Sequence, residues 1–334
     1  PILNFEKNLN IIDFESFSYL FEHGFTQRGK SIFKNIYKLK AGHSLTFNIQ
    51  DRGYEIHNYW SLPNKIKECH ENNIHAKESD LLPALENYME QAVKSQLDAD
   101  VPIGIMLSGG LDSSLITAFA SRFKNKINTF TVSFSGHGVF DETSHAKLIA
   151  DTFQTNHHEL EARAINPQII ENLTYYYDDP MFDPSMIPTY LLSEAISKNF
   201  KVAISGDGGD ELLGGYEKIH TSMKISLLPT KLILLIYKFF PAFLGTGAGL
   251  FRYTYSPELS FELLTIDTKL LNLLHLKTQN TFRKNYLNKK STTLKNFILS
   301  DYKFYLSELM LHKVDRTSMD NSLEIRSPFL DHKL

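Results

Sequence analysis

The chain contains one cysteine, Cys69, in 334 residues. A single cysteine excludes an internal disulfide and any metal site built from several thiolates. Such scarcity fits a reducing compartment, and we expect a cytoplasmic location.

Long apolar runs and an excess of basic charge are missing as well. The most apolar stretch outside the motifs below, residues 225–250, is interrupted by two lysines and two prolines, so it lacks the ~18–20 apolar residues of a membrane-spanning helix. The formal net charge is -3 and the histidines are scattered, so no basic stripe could release counterions from a nucleic acid. We therefore expect no membrane partner and no nucleic-acid partner.

Composition divides the chain into three parts. Residues 1–62 hold short apolar stretches and turn residues, and the alternation over 44–49 predicts a strand and hairpin. Residues 63–78 have almost no apolar periodicity and are interpreted as a linker. Residues 79–334 are predicted to form a larger domain that opens with an amphipathic helix.

Within this larger domain, apolar strands alternate with helices. Strands are predicted at 101–107, 127–134 and 201–204, and helices at 111–123, 143–153 and 185–198. This alternation predicts an α/β fold with a parallel sheet and right-handed crossovers. Ligands of such sheets bind at the carboxyl ends of the strands. Residues 212–311 are predicted to be mainly helical, and no chemistry is assigned to them.

The strongest motif, Ser-Gly-Gly-Leu-Asp-Ser-Ser at residues 108–114, follows the first predicted strand. A strand that leads through a glycine-rich turn into a helix presents backbone N–H groups, hydroxyls and the positive end of a helix dipole to one place, which favours an anion. No Gly-Lys-Ser/Thr follows, so this is not a Walker loop. The alternative interpretation is a tight turn with a purely structural role.

A second motif, Ser-Gly-Asp-Gly-Gly-Asp-Glu at residues 205–211, follows the third predicted strand. Carboxylates and bare backbone therefore converge at a strand end, where Asp112 offers a further carboxylate from a neighbouring loop. Carboxylate oxygens suit a Mg2+ ion that bridges phosphate oxygens. An acidic, solvated turn is the alternative.

Together with a third motif, these segments resemble the glutamine-dependent asparagine synthetase family. Residues 108–114 are similar to the pyrophosphate loop, or PP-loop, of the ATP-pyrophosphatase superfamily. Residues 134–161, which include Asp141, are similar to the stretch after that loop. The second family signature is matched by 178–185 with 204–216, and the third by 313–319 with 324–331.

The resemblance implies a fold for each part of the chain. For residues 79–334 it implies a doubly wound parallel sheet of the ATP-pyrophosphatase, adenine nucleotide alpha hydrolase-like type, truncated at the C-terminus. For residues 1–62 it implies a small β-rich remnant, the C-terminal part of an N-terminal-nucleophile glutaminase domain. A homodimer is expected from the family alone.

The resemblance also implies residue roles. Asp112 and Asp210 would hold Mg2+, and Asp207 stands where many members carry a Glu implicated in intermediate chemistry. Lys313 and Arg316 would stabilise the charge of leaving pyrophosphate, with a solvated helix face as the alternative. The residues expected to contact ATP are Leu107, Ser108, Gly109, Gly110, Asp112, Ser113, Ser114, Val132, Ser205 and Gly206.

The implied activity is that of a carbon-nitrogen ligase of asparagine biosynthesis with glutamine as amide donor. ATP would activate a carboxylate, by default aspartate, as an acyl-adenylate, and ammonia from glutamine would displace AMP after pyrophosphate has left. Two alternatives stay open: another carboxylate, such as a sugar acid of surface-polysaccharide biosynthesis, or a catalytically silent nucleotide-binding module. Because the chain begins with Pro1 and Cys69 lies in the predicted linker, we expect this chain itself not to hydrolyse glutamine. The family's lysine beyond the Pro-Phe-Leu-Asp motif also lies outside it, which leaves its synthetase activity open.

Overall fold

A computed structural model describes residues 2–72, 75–133, 142–161, 167–216, 219–220, 223, 273–274 and 293–334. Asp141, the apolar run 225–250 and most of the predicted helical region 212–311 lie outside the described residues. The chain divides into two compact units, the first made of 1–75, 179–182 and 214–309 and the second of 76–178, 183–213 and 310–334.

The described helices and strands are numbered here in chain order. They are α1 (Ile2–Phe5), α2 (Phe14–His23), β1 (His43–Phe47), β2 (Tyr54–Asn58), α3 (Leu62–Asn72), α4 (Glu78–Gln96), β3 (Ile103–Met106), α5 (Leu111–Ser121), β4 (Asn128–Ser133), α6 (Thr143–Thr152), β5 (Asn156–Glu161), α7 (Pro167–Tyr176), α8 (Met186–Ser197), β6 (Val202–Ile204), α9 (Gly209–Leu213), α10 (Thr293–Ser300), α11 (Leu311–Asp320) and β7 (Glu324–Arg326). A π-helical segment, Asp301–Met310, joins α10 to α11.

The predicted hairpin is present as the antiparallel pair β1 and β2. The helix α2 before it was not predicted. Its start is capped by Asp13, which accepts a hydrogen bond from the backbone of Glu15 at 3.3 Å, and its end by Gly24 in the left-handed conformation. The assignment of residues 1–62 to a glutaminase remnant stays a prediction.

Most of the stretch interpreted as a linker forms the helix α3. Ion pairs one turn apart, Lys65 to Glu68 at 2.9 Å and Lys67 to Glu71 at 3.9 Å, lie along it. Such pairs support a polar helix that has no wide apolar stripe, which explains why apolar periodicity alone missed it. The chain passes from the first unit to the second at residues 75 and 76, within this stretch.

A short segment, residues 179–182, belongs to the first unit although the residues on either side belong to the second. Asp179 is buried in the first unit, where its carboxylate lies 2.7 Å from Nζ of Lys38 and accepts hydrogen bonds from the Ser31 hydroxyl at 2.9 Å and the Ile32 N–H at 3.1 Å. The residue before it, Asp178, has a left-handed backbone with φ of 60°.

The second unit contains a five-stranded parallel sheet in the order β5-β4-β3-β6-β7, which confirms the predicted α/β class. The chain moves outward from β3 through β4 to β5, then returns to the other side of β3 with β6. The direction of winding therefore reverses between β3 and β6. The carboxyl ends of strands at such a switch point are where open α/β sheets bind ligands.

Helices cover both faces of this sheet. Alternate strand residues point to opposite faces, and Val202 and Ile204 pack in one apolar cluster while Ala203 packs in another. The first cluster contains Met89, Val93, Leu97, Ile103, Ile105, Ile116, Phe119, Ala120, Ile127, Val202, Ile204 and Phe329. The second contains Phe130, Ile196, Ala203 and Leu323. This layering is consistent with a doubly wound fold.

A glycine in β3 fixes the packing of the second cluster. A Cβ at Gly104 would lie 1.9 Å from the ring of Phe130, which stacks on His158 at 5.1 Å between centroids. The neighbouring His157 is hydrogen-bonded to Thr129 at 2.9 Å, and burial lowers its pKa.

In the part of the chain that the structure describes, no helix is long and apolar enough to cross a membrane.

Candidate functional site

The loop of residues 107–110 joins β3 to α5 and has a fixed, tight course. Leu107 is buried against Ala146 of α6, and Gly109 has φ of 79°. A Cβ at Gly109 would lie 2.6 Å from both the Ala146 nitrogen and the His145 Cβ. Glycine is therefore required here both by the backbone conformation and by the close approach of α6.

Hydroxyl groups hold the loop in this shape. Oγ of Ser108 lies 3.1 Å from Oγ of Ser113 and accepts a hydrogen bond from the Gly110 N–H at 3.2 Å. Ser113 and Ser114 donate to the Gly110 carbonyl at 3.2 and 2.7 Å. Within the described ranges no side-chain hydrogen bond caps the start of α5, so the positive end of its dipole can face an anion.

The loop after β6 lies directly beside the first loop. A Cβ at Gly206 would lie 3.1 Å from Cβ of Asp112, and a Cβ at Gly209 would lie 2.5 Å from Cγ of the same aspartate. The bare backbone of the second loop thus makes room for the Asp112 carboxylate at the switch point. The two motifs, which are about 95 positions apart in sequence, form one site.

Two carboxylates meet at this junction. Burial raises the pKa of Asp112, and the neighbouring charge of Asp210 raises it further. A cation between the two carboxylates would offset both the cost of burying Asp112 and its repulsion by Asp210. Among the described residues, no group of three or more His, Cys, Asp or Glu side chains could hold a metal ion, and the described part of this junction offers the two carboxylates of Asp112 and Asp210. That number fits Mg2+, which commonly takes one or two carboxylates together with substrate phosphates and water.

Asp207 is oriented by its neighbours. Its carboxylate accepts a hydrogen bond from the Ser205 hydroxyl at 2.7 Å, and its backbone carbonyl accepts one from the hydroxyl of Ser327. The next residue, Gly208, has φ of 90°, and a Cβ there would lie 2.5 Å from Leu330. Ser327 and Leu330 of the third motif therefore pack against the second loop and help to fix its conformation. The sequence analysis did not predict this role.

Lys313 lies on α11 and is buried, which excludes the solvated helix face considered for it. Its Nζ lies 3.3 Å from the Asp183 carboxylate and donates to the Ser185 hydroxyl at 2.7 Å. Burial alone would raise the pKa of Asp183, but hydrogen bonds from Ser185 and the charge of Lys313 lower it below its usual range. Tyr177 also donates to the Lys313 carbonyl at 3.2 Å.

Arg316 lies one turn further along α11 and is half exposed. Its Nη2 lies 3.3 Å from the Asp178 carboxylate, in agreement with the solvated-face alternative. Val132 lies near the carboxyl end of β4, next to the β3 end that carries the first loop. The structure thus gathers residues 107–114 and 205–210 at one edge of the sheet, and gives Lys313 and Arg316 carboxylate partners of their own.

Comparisons with known proteins agree with these motifs. The family model described as asparagine synthase matches residues 84–334. The chain is 36% identical over 217 residues to a putative asparagine synthetase [glutamine-hydrolyzing] 2 of Methanocaldococcus jannaschii, covering 64% of this chain and 40% of that protein. It is 29% identical over 279 residues to asparagine synthetase [glutamine-hydrolyzing] 1 of Bacillus subtilis, covering 77% of this chain and 43% of that protein. The chain therefore spans less than half the length of these relatives.

Proposed function

Since this chain belongs to the asparagine synthase family, we propose that its second unit binds ATP with Mg2+ and activates a carboxylate for amidation. The proposed reaction converts aspartate to asparagine with ammonia derived from glutamine and releases AMP and pyrophosphate. The choice of aspartate and glutamine rests on the names of the relatives. The nucleotide part rests on one observation, the junction of the 108–114 loop with Asp112 and Asp210 at the switch point of the sheet.

The 108–114 loop is proposed to hold the phosphates of ATP. Its hydroxyls are already oriented by hydrogen bonds within the loop, so binding requires little rearrangement. The uncapped start of α5 directs a positive dipole end toward charge that grows on the departing pyrophosphate. Preorganised groups of this kind lower the barrier because they need not reorient during the reaction. Leu107, Val132, Ser205 and Gly206 are proposed to lie beside the adenosine.

Asp112 and Asp210 are proposed to hold Mg2+, which when bound supplies positive charge to the phosphate oxygens. The raised pKa of Asp112 supports this assignment, because two neighbouring carboxylates are stabilised by a shared cation. Asp207, held by Ser205, is proposed to act on the reacting carboxyl group. Lys313 and Arg316 are proposed to offset the charge of leaving pyrophosphate, and the more exposed Arg316 needs only to exchange Asp178 for a phosphate.

Pyrophosphate release from Mg-ATP by the purified protein tests the proposal, with ammonia as nitrogen donor and with aspartate present or absent. We expect release that depends on aspartate and yields asparagine. Asp112→Asn should abolish it, whereas Asp100→Asn, a matched change at an exposed aspartate before β3, should not.

Three other outcomes are informative. Release that needs a sugar acid would keep the adenylation chemistry and replace aspartate. ATP binding without release under any condition would identify a silent nucleotide-binding module. Failure to bind ATP would overturn the assignment of the site.

A further inference from the structure

A cavity of about 210 Å³ lies within the first unit, lined by residues around the end of β2 and by α10 with the π-helical segment after it. At ~30 Å³ of liquid per water molecule, it has room for about seven waters. It is smaller than the ~300–1,000 Å³ pockets that hold drug-sized ligands. Its size suits a small metabolite.

One part of the wall is aromatic. The rings of Trp60 and Tyr302 both line the cavity, with centroids 6.4 Å apart and an interplanar angle of 36°. Burial raises the pKa of Tyr302, so its hydroxyl stays neutral. These rings offer a surface for a planar or apolar group.

Another part of the wall is cationic, with Arg28 and Lys303 both lining the cavity. Burial, together with the charges of Arg28 and Lys40, lowers the pKa of Lys303 to about 8. Glu308 lies 3.6 Å from Nε of Arg28, and burial raises its pKa. Two cationic side chains therefore lie in this part of the wall, with one carboxyl group close to Arg28.

Among the described residues, two buried N–H groups of the wall side chains have no hydrogen-bond partner within 3.5 Å. They are Nε of Arg28 and Nε1 of Trp60, although Arg28 also donates from Nη2 to the Ala41 carbonyl at 3.2 Å. A buried donor without an acceptor costs ~1–3 kcal/mol. The cavity wall thus combines two cationic side chains with an aromatic surface, and a small ligand that carries negative charge would suit both.

We propose that this cavity binds a small organic anion, a carboxylate or phosphate whose planar or apolar part lies against Trp60 and Tyr302 while its charged group lies near Arg28 and Lys303. None of these residues belongs to the proposed nucleotide site. The two sites can therefore be tested separately, and failure of one leaves the other unaffected.

The chain's single tryptophan is Trp60, so tryptophan fluorescence reports the occupancy of this cavity directly. We would titrate the 334-residue chain with benzoate and with phenyl phosphate, and use benzamide as the neutral comparison. We expect saturable changes with the two anions and little with benzamide. Preference for one anion would distinguish a carboxylate ligand from a phosphate ligand.

Lys303→Gln should weaken binding of the anions about ten-fold or more, the usual effect of losing a charge-assisted hydrogen bond. The matched control is Lys295→Gln, at an exposed lysine on α10, which should leave binding unchanged. Lys303→Arg keeps the charge and should retain binding. Circular dichroism melts of all three variants check that the fold persists.

The pH dependence gives a second readout. The titratable and charged groups near Lys303 in the described part of the chain include Arg28, Lys40, Glu308, His43 and Tyr302. Affinity for benzoate should fall between pH 7 and pH 9 as Lys303 loses its proton, and Lys303→Arg should remove most of that fall. Equal binding of benzamide and benzoate, or no response to any probe, would overturn the proposal in favour of an apolar or water-filled cavity.

Discussion

Two pairs of charged residues in the second unit are arranged in opposite ways. At the switch point, Asp112 and Asp210 bring like charges together, and burial, together with the charge of Asp210, raises the pKa of Asp112. At the start of α11, Lys313 meets Asp183, and the pKa of that carboxyl is lowered. Lys313 and Asp183 neutralise each other's charge, whereas Asp112 and Asp210 repel each other. A pair of opposite charges stabilises the fold, whereas a pair of like charges has a cost that the proposed Mg2+ would offset.

The strongest test of the complete pair is Lys313→Met. Asp183 would be left buried without its cation, and removal of one partner of a buried ion pair costs about 3–5 kcal/mol. We expect a loss of that size in the free energy of unfolding, measured by urea denaturation. The double variant Lys313→Met with Asp183→Asn should recover part of it, since no charge is then stranded. A loss below about 1 kcal/mol for the single variant would show that the pair is not structural.

Gly209→Ala tests the contact that makes room at the switch point. The new Cβ would lie 2.5 Å from Cγ of Asp112, so the carboxylate must move. We expect a cost of about 1–3 kcal/mol in stability, typical of overpacking, with weaker Mg-ATP binding by calorimetry. Unchanged affinity would mean that the position of Asp112 does not matter for the nucleotide.

Asp112→Asn should stabilise the fold, in contrast to Lys313→Met, because it removes one of two like charges. It should also abolish pyrophosphate release. The gain should be less than about 1 kcal/mol, because the group is partly exposed and solvent screens the repulsion. A carboxyl with a raised pKa favours the folded state when protonated, and this stability is lost as pH rises through its folded pKa. The difference in Tm between variant and wild type should therefore be larger at pH 8 than at pH 4. A difference in Tm that does not vary with pH would contradict the raised pKa of Asp112.

Arg316→Gln is expected to have the smallest effect on stability. Its ion pair with Asp178 is half exposed, and such pairs contribute about 0.2–1 kcal/mol. If Arg316 contacts pyrophosphate, the variant should lower kcat without a comparable change in Tm. A parallel loss of both would assign Arg316 a structural role instead.

The sequence was most informative where the chemistry is local. The 108–114 loop, its strand and its helix were predicted within a few residues, because the turn, the hydroxyls and the helix start are contiguous. The partners of Lys313 were not predicted, because Ser185 is 128 positions away and only the fold brings them together. The strands β5 and β7 were also absent from the predicted set. β7 has three residues, too few for an apolar pattern to show.

The division of the chain was harder still to foresee. A single boundary within the linker 63–78 was predicted, yet residues 179–182 return to the first unit, where Asp179 contacts Lys38 and Ser31. Composition cannot show this, because the anchor is one carboxylate within a segment that otherwise matches the family signature. Side-chain contacts between distant positions decide it.

Because the two units alternate along the sequence, no single cut in the gene can separate them into two complete coding regions. The second unit is encoded in three separate stretches, and the first unit supplies the chain between them. A cut at residue 75 would leave residues 179–182 and 214–309 attached to the wrong product. Neither fragment would then match the residues of one complete unit. Recombination that moves the nucleotide site to another protein must carry the intervening first-unit segments with it.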